Sequence, residues 1–255
     1  MIELRTPAEI NEMKAAGEFV ASVLTATQAA SKVGTNLLQI DALAHSMIRE
    51  RGAESCYIDY HPSFGASPFG KVICTSVNDA ALHGLPHDYT LKDGDLVSLD
   101  FAVSVDGCVA DSAITFAVGT PRDEDLKLMD ATSRALDAGI AAAIVGNRIG
   151  AISAAIGDVA YGAGYEVNLD FGGHGVGREM HGDPHIPNDG KSRRGMPLKP
   201  GLVFAIEPWL MIGTDEIFTD DDGWTLRSID GSRAAHFEHT VAVTPEGPLV
   251  LTARA

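Results

Sequence analysis

The chain has 255 residues, of which 45% are hydrophobic and 21% are charged, as in ordinary soluble globular proteins. A net charge of −16 disfavours a broad surface for DNA or for an anionic membrane. No apolar run reaches the roughly 18 residues of a membrane helix, and the N-terminus lacks the apolar core of a signal peptide. Three widely spaced cysteines fit neither a disulfide framework nor a thiolate zinc site. We therefore expect a cytoplasmic protein that binds neither membrane nor DNA.

The first two predicted helices are marked by their ends. Residues 6–9, Thr-Pro-Ala-Glu, form a capping box that starts the first helix, and Gly34 ends it. Thr35 starts the second helix, which Gly52 closes. Strands and loops are expected from 57 to 118.

The same order of elements then recurs. A third helix is expected from Thr120 to about Ile144 and a fourth over roughly 148–162, and strand-like sequence fills 165–251. Two helices followed by strands, twice, favour a duplicated α+β architecture with the helices behind one curved sheet. The expected single domain covers residues 1–255, with pseudo-repeats at roughly 1–119 and 120–255.

A hairpin with two buried carboxylates is the clearest local prediction. Asp106-Gly107 between two β-rich runs is typical of a two-residue turn, which places Asp111 opposite Ala102. Asp100 then lies diagonally across from Asp111, within about 7–8 Å. Such a pair could be two solvated carboxylates on a wet sheet face. Because like charges repel unless a cation or a proton intervenes, the pair favours a metal site.

Further candidate ligands lie in apolar or glycine-rich sequence. Glu207 is the only charged residue of GLVFAIEPWL, and Glu238 stands in the same way in AAHFEHTVAV. A buried carboxylate is costly unless it is paired or bound to a metal, although one such residue could be a satisfied core group. His174 lies between glycines in FGGHGVGREMHGDPHIPN, a stretch unsuited to a regular helix or strand.

These residues match a metal centre in number and chemistry. The set is Asp100, Asp111, His174, Glu207 and Glu238. Four carboxylates and one imidazole exceed the needs of one small divalent ion. They suit two ions about 3.5–4 Å apart, which activate water and polarise a carbonyl. Oxygen-rich ligands favour manganese, iron(II), cobalt or catalytic zinc over a structural zinc site.

The motifs SLDF, VADS, GGHGVG, AIEP and FEHT occur in this order, and the chain resembles the methionine aminopeptidases. The resemblance extends from TPAEI at residue 6 to VAVTPEGP near the C-terminus. It implies the pita-bread fold, in which two pseudo-symmetric αα-plus-strand halves share a curved antiparallel sheet backed by helices. His174 and Glu207 are only 33 positions apart, where type II members insert a helical subdomain, so the chain resembles the minimal bacterial type I form.

The resemblance also implies roles for single residues. The five residues above would be the metal ligands, and Glu207 would also act as general base. His181 would hydrogen-bond the substrate carbonyl and the developing oxyanion, and His83 would lie near the scissile amide. Neither role follows from sequence context alone, since a lone loop histidine is usually unremarkable. For His185, an ordinary loop position is expected.

The substrate pocket is carried over from the family by position. The residues that would line it are Phe69, Cys74, Leu82, Met180 and Trp224. Each could equally be part of the core, because apolar residues in strands usually are. Leu82 replaces a cysteine common in bacterial members, and Met180 replaces an aromatic residue. The loop at 62–68, slightly longer than usual in the family, would border this pocket.

Three other functions compete with this interpretation. Proline-specific aminopeptidases share the fold but carry a large N-terminal domain, for which the chain has no room. Non-catalytic relatives that bind peptides lose metal ligands, whereas all five are present here. A metal-buffering protein would hold its carboxylates in a run, not scattered through core strands.

The resemblance therefore predicts removal of the initiator methionine from nascent polypeptides and N-terminal Met peptides when the second residue is small. We expect a monomer that works in the cytoplasm. Lys191, Arg193 and Arg194 form the one basic cluster. It is the expected place for a transient ribosome contact, with an ordinary solvated loop as the alternative.

Overall fold

The computed structural model describes residues 2–63 and 65–254, so Phe64, inside the loop at 62–68, lies outside it. The four helices of that part of the chain are α1 (Pro7–Ala30), α2 (Leu37–Arg51), α3 (Asp123–Ala142) and α4 (Ile149–Gly162). The strands are β1 (Glu54–Ser55), β2 (Cys74–Val77), β3 (Ala80–Leu82), β4 (Leu96–Val105), β5 (Cys108–Ala117), β6 (Glu166–Val167), β7 (Gly173–Gly175), β8 (Gly182–Ile186), β9 (Val203–Ile206), β10 (Trp209–Met211), β11 (Ile217–Thr219), β12 (Leu226–Ser228), β13 (Ala234–His236), β14 (His239–Thr244) and β15 (Gly247–Val250). No helix between residues 2 and 254, Phe64 aside, is both long and apolar enough to cross a membrane.

The helix starts follow from local capping. The Thr6 side chain accepts from the Glu9 backbone, and the Glu9 carboxylate accepts from the Thr6 backbone at 2.7 Å, as the capping box predicts. Helix α2 uses Asn36 as its N-cap, one residue after the predicted start. Gly52 closes α2 in the left-handed conformation that favours glycine. Helix α1 ends at Ala30, four residues before Gly34.

The strands form four sheets. In the first, β4 pairs with β5 on one edge and with β1 and β2 on the other. The largest has the order β15-β14-β9-β7-β8 and lies in the second half of the chain. Two smaller sheets have the orders β13-β10-β6 and β11-β12-β3. All of these pairings are antiparallel.

Each pair of helices packs on a sheet through a buried apolar core. In the first half, Val20 and Leu24 of α1 pack with Leu99 and Phe101 of β4. In the second half, Ile152 and Ile156 of α4 share a core with side chains of β9 and β14. Burial of these side chains, at about 1.5–3 kcal/mol each, holds the helices against the strands that carry the candidate ligands.

Strands β4 and β5 form the predicted hairpin. Val105 pairs with Cys108 and Ala102 pairs with Asp111, so the register is confirmed. Asp106 and Gly107 have φ angles of 52° and 75°. A two-residue type I′ turn needs positive φ at both positions, which explains the Asp-Gly pair.

Buried hydrogen bonds join this hairpin to the second half of the chain. The Asp111 backbone amide donates to Thr240 Oγ1 at 2.9 Å, and Thr240 Oγ1 donates to the Asp111 carbonyl at 2.8 Å. Ser112 Oγ donates to the Glu238 carbonyl. We call these contacts between β5 and residues 238–240 the seam. Because buried polar groups must be paired, the seam fixes the two halves in one relative position.

Candidate metal centre

Asp100 and Asp111 lie together on one face of the hairpin, as the register predicts. Tyr57 donates a hydrogen bond to Asp100 Oδ1 at 2.6 Å, and its hydroxyl lies 3.4 Å from Asp111 Oδ1. Asp111 is only 3% exposed. Two carboxylates in one buried place indicate a site built for a positive charge or a proton.

Glycines let the strand of His174 pass close to its neighbours. A Cβ atom on Gly173 would collide with the Ala205 carbonyl, and one on Gly175 would collide with the Asp183 carbonyl. Only glycine therefore fits on either side of the histidine. The His174 imidazole lies with Nε2 at 3.5 Å from Glu207 Oε1 and 3.8 Å from Asp111 Oδ2.

The pairing of β9 with β14 brings the two glutamates together. Ile206 pairs with His239, so the same register continued by one residue sets Glu207 opposite Glu238. Three groups of candidate ligands overlap in this place, and within each group the ligand atoms lie within 4.8 Å of one another. The groups are Asp100, Asp111 and Glu238; His174, Glu207 and Glu238; and Asp111, His174 and His181.

Burial perturbs every ionisable group of the cluster. Desolvation, with repulsion from Asp100, raises the pKa of Glu207 to about 8. Desolvation also raises the pKa of Asp100 to about 6, although the Tyr57 hydrogen bond opposes it. The pKa values of Asp111 and Glu238 are raised by burial and by neighbouring carboxylates. A cation bound among these carboxylates would let them ionise together.

The donor set fits divalent metal. Glu238 Oε1 is buried, and no group in the described ranges gives it a hydrogen bond. The pKa of His174 is lowered to about 3 by burial and by the nearby His181, so its imidazole is neutral and can act as a ligand. An unpaired buried oxygen beside other carboxylates and a neutral imidazole is the chemistry that hard or borderline divalent ions require.

A cavity of about 230 Å³ opens onto this cluster. Four of the five predicted pocket residues line it, namely Phe69, Cys74, Met180 and Trp224. Phe69 and Trp224 meet edge to face with ring centroids 5.1 Å apart. Leu82 does not line the cavity but packs in a core with Trp209 and Leu226, so the geometry does not support a pocket role for it.

The predicted catalytic histidines also face the cavity. His181 lies at its mouth, with Nδ1 at 2.9 Å from the Tyr60 hydroxyl and its ring centroid 4.3 Å from that of His174. His83 has a positive φ of 54°, and burial together with His181 lowers its pKa to about 4. His185, for which no role was expected, lines the same cavity.

Sequence reasoning missed several residues of the site. Tyr57, Tyr60, Asp170 and Phe171 line the cavity, and the Tyr57 hydroxyl touches both aspartates. A buried tyrosine hydroxyl normally has a partner, but no local pattern shows that these tyrosines are buried. His236, 2% exposed, was also missed; its Nε2 atom lies 3.8 Å from Glu207 Oε2.

The family model, the sequence relatives and the solved structures that match this chain all point to one family of metallopeptidases. Residues 11–245 match the model of metallopeptidase family M24. Methionine aminopeptidase 1 from Mycobacterium tuberculosis (strain CDC 1551 / Oshkosh) is 45% identical over 259 residues, which cover 99% of this chain and 95% of that protein. The crystal structure of a methionine aminopeptidase from Thermotoga maritima superposes with a TM-score of 0.93 at 34% identity and covers 100% of both chains.

More distant structures share the fold alone. A prolidase from Pyrococcus furiosus has a TM-score of 0.78 at 22% identity, and the match covers 99% of this chain and 66% of the prolidase. The expected pita-bread architecture is therefore confirmed, as is the expected need for divalent metal. On the sequence match and the structural match together, the chain belongs to metallopeptidase family M24.

Proposed function

We propose that this protein hydrolyses the first peptide bond of N-terminal Met peptides and nascent polypeptides and prefers a small second residue. One observation carries the proposal: the cluster of candidate metal ligands lines a mainly apolar cavity. The walls formed by Phe69, Met180 and Trp224 suit a flexible, apolar thioether side chain. The 45% identical relative from Mycobacterium tuberculosis bears the name of this activity.

Two divalent ions are proposed, drawn from cobalt, manganese, iron(II) and zinc. Asp100, Asp111, His174, Glu207 and Glu238 would hold them, since their ligand atoms converge. When bound, the metal supplies a Lewis acid for the scissile carbonyl and lowers the pKa of water. The same positive charge lets the four carboxylates ionise together.

Glu207 is proposed as the general base. Its carboxylate borders the cavity beside the other proposed ligands, and an ionised carboxylate there can accept a proton from water and release it again. Its Oε1 atom lies 3.5 Å from His174 Nε2. The carboxylate is therefore placed beside the other ligands, where the attacking water would be held.

The two cavity histidines are proposed to act on the peptide. When the Tyr60 hydroxyl donates to Nδ1 of His181, the proton of His181 lies on Nε2, which can then donate to the carbonyl oxygen and to the developing oxyanion. His83, which burial keeps neutral, would contact the nitrogen of the scissile amide. Both roles require neutral imidazoles at neutral pH.

The test begins with protein stripped by a chelator and reloaded separately with manganese, cobalt, iron(II) or zinc. Met-Ala-Ser, Met-Leu and Ala-Pro peptides are assayed with wild type, with Glu207→Gln and with the exposed control Glu12→Gln. We expect methionine release from Met-Ala-Ser, little from Met-Leu, and loss of about 10²–10⁴-fold in Glu207→Gln only. Turnover of Ala-Pro in place of Met-Ala-Ser would show a proline-specific enzyme. A folded protein that binds metal and cleaves nothing would refute catalysis.

We also propose a setting for the reaction. The protein would act as a cytoplasmic monomer, a single catalytic domain over residues 1–255 with pseudo-repeats 1–119 and 120–255. Support for the single domain comes from the seam and from candidate ligands on both sides of it. Size-exclusion chromatography with light scattering tests the monomer, and limited proteolysis that released a stable half would contradict the single domain.

A transient ribosome contact is proposed at one basic loop. Lys191, Arg193 and Arg194 are exposed between β8 and β9, and the net charge of −16 confines any contact with rRNA to such a place. Reversal of the three charges should weaken co-sedimentation with ribosomes without changing cleavage of Met-Ala-Ser. Unchanged co-sedimentation would remove this part of the proposal.

A further inference from the structure

His236 is a buried histidine that the proposed reaction does not use. It ends strand β13, is 2% exposed, and is absent from the lining of the cavity. Its Nε2 atom is buried, and no group in residues 2–63 or 65–254 forms a hydrogen bond with it. An unpaired buried ring nitrogen costs about 1–3 kcal/mol, so a role that offsets this cost is expected.

The backbone of His236 is held firmly. Its amide donates to Thr115 Oγ1 at 2.8 Å, and Thr115 Oγ1 donates to its carbonyl at 2.8 Å. On the other side, His236 pairs with Trp209 across β10 and β13. These contacts fix the backbone from which the buried imidazole extends, with Nε2 on the side of Glu207.

The atom that Nε2 faces is a carboxylate oxygen of the general base. His236 Nε2 lies 3.8 Å from Glu207 Oε2, whereas Glu207 Oε1 lies 3.5 Å from His174 Nε2. Each carboxylate oxygen of Glu207 thus faces a different imidazole. One oxygen is turned toward the candidate ligands and the other toward His236, behind the cavity.

We propose that His236 is a positioning residue that donates from Nε2–H to Glu207 Oε2 and so fixes how the carboxylate presents Oε1 to metal and water. Hydrogen bonds of this kind are often long in an unloaded site and shorten in the working complex. Groups that hold a metal ligand from behind commonly change metal affinity or activity by 10–100-fold. The inference rests on the proposed function for Glu207.

Two substitutions separate this role from ordinary packing. His236→Leu replaces the donor with an apolar side chain of similar size, whereas His236→Gln keeps an N–H donor. The exposed His45→Leu on α2 serves as control. A packing role predicts a lower melting temperature of metal-free His236→Leu. A positioning role predicts an unchanged or higher one, because the variant loses an unpaired buried nitrogen.

The experiment titrates chelator-treated protein with Co²⁺ alone by calorimetry and records the visible spectrum of the Co²⁺ form. We expect His236→Leu to bind Co²⁺ about 10–100-fold more weakly and to show an altered spectrum. We also expect its kcat on Met-Ala-Ser to fall about tenfold or more, with KM little changed, and His236→Gln to restore both properties to within a few-fold.

Two results would overturn the inference. One is a His236→Leu variant with the Co²⁺ affinity, spectrum and kcat of wild type. The other is a His236→Gln variant as impaired as His236→Leu, which would exclude the donated hydrogen bond. If wild type itself released no methionine, the proposed function would fail, and the Co²⁺ titration would still decide whether His236 positions Glu207.

Discussion

In the metal-free protein, the contribution of the buried carboxylates to stability should fall as the pH rises from about 5 to 8. Burial raises the pKa of Glu207 from 4.5 to about 8 and that of Asp100 from 3.8 to about 6. Asp111 and Glu238 are raised in the same direction. At these carboxylates the folded protein binds more protons than the unfolded chain, so their contribution to the free energy of unfolding falls with increasing pH. Buried histidines act in the opposite direction below about pH 6.5, because burial lowers the pKa of His83 to about 4 and that of His174 to about 3.

The size of the effect follows from proton linkage. Each proton held only by the folded state contributes a slope of about 1.4 kcal/mol per pH unit. For Glu207 alone, the interval from pH 5 to 8 corresponds to a loss of about 4 kcal/mol. The carboxylate contribution should be steepest between pH 5 and 6, where Asp100 contributes too. Total stability of a domain is only about 5–15 kcal/mol, so the change is readily measured.

Urea unfolding in the presence of EDTA, at pH 5.5, 6.5 and 7.5, measures the free energy at each pH. Glu207→Gln cannot lose a proton, so the slope of its unfolding free energy against pH should be more positive than that of wild type by about 1.4 kcal/mol per pH unit. The exposed control Glu12→Gln should keep the slope of wild type. A Glu207→Gln variant with the same slope as wild type would show that Glu207 is not held protonated, and the reasoning would be wrong.

Three substitutions test other contacts. Tyr57→Phe removes the hydrogen bond to Asp100 and should weaken Mn²⁺ binding about tenfold in a calorimetric titration; an unchanged Kd would show that Tyr57 does not hold the ligand. Gly173→Ala drives a methyl group into the Ala205 carbonyl and should abolish metal binding or folding, as followed by circular dichroism; normal melting and affinity would contradict this. Phe69→Ala should cost about 3–5 kcal/mol in urea unfolding and raise KM for Met-Ala-Ser, with Phe69→Leu milder on both counts; an unchanged KM would place Phe69 outside the pocket.

Local rules account for what could be predicted from the sequence. The Asp-Gly turn sets the hairpin register and so the meeting of Asp100 with Asp111. The glutamates stand out because each is the lone charge of an apolar stretch of sequence. Helix ends were less predictable: α3 begins at Asp123, three residues after Thr120, with three acidic residues in its first turn. Acidic side chains there stabilise the helix dipole without a capping hydroxyl.

The pocket was less predictable because its walls come from distant segments. Leu82 ends β3 and packs into the core, whereas His83, the next residue, has left the strand with a positive φ and faces the cavity. Tyr57 and Tyr60 reach the cavity from the segment between β1 and β2. Their partners, Asp100 and His181, lie 43 and 121 residues away in the chain. No periodicity links residues so far apart.

The seam has a consequence for the life of the protein in the cell. Two of the proposed ligands come from β4 and β5 and three from the other side of the seam, so ions held by ligands from both sides bind only the docked chain. Such an ion stabilises the fold by RT ln(1 + [M]/Kd), where [M] is the free ion concentration. Scarcity of metal would then lower abundance as well as activity, because a chain with open halves is a substrate for proteases. In cells starved of the ion, the polypeptide should be degraded faster.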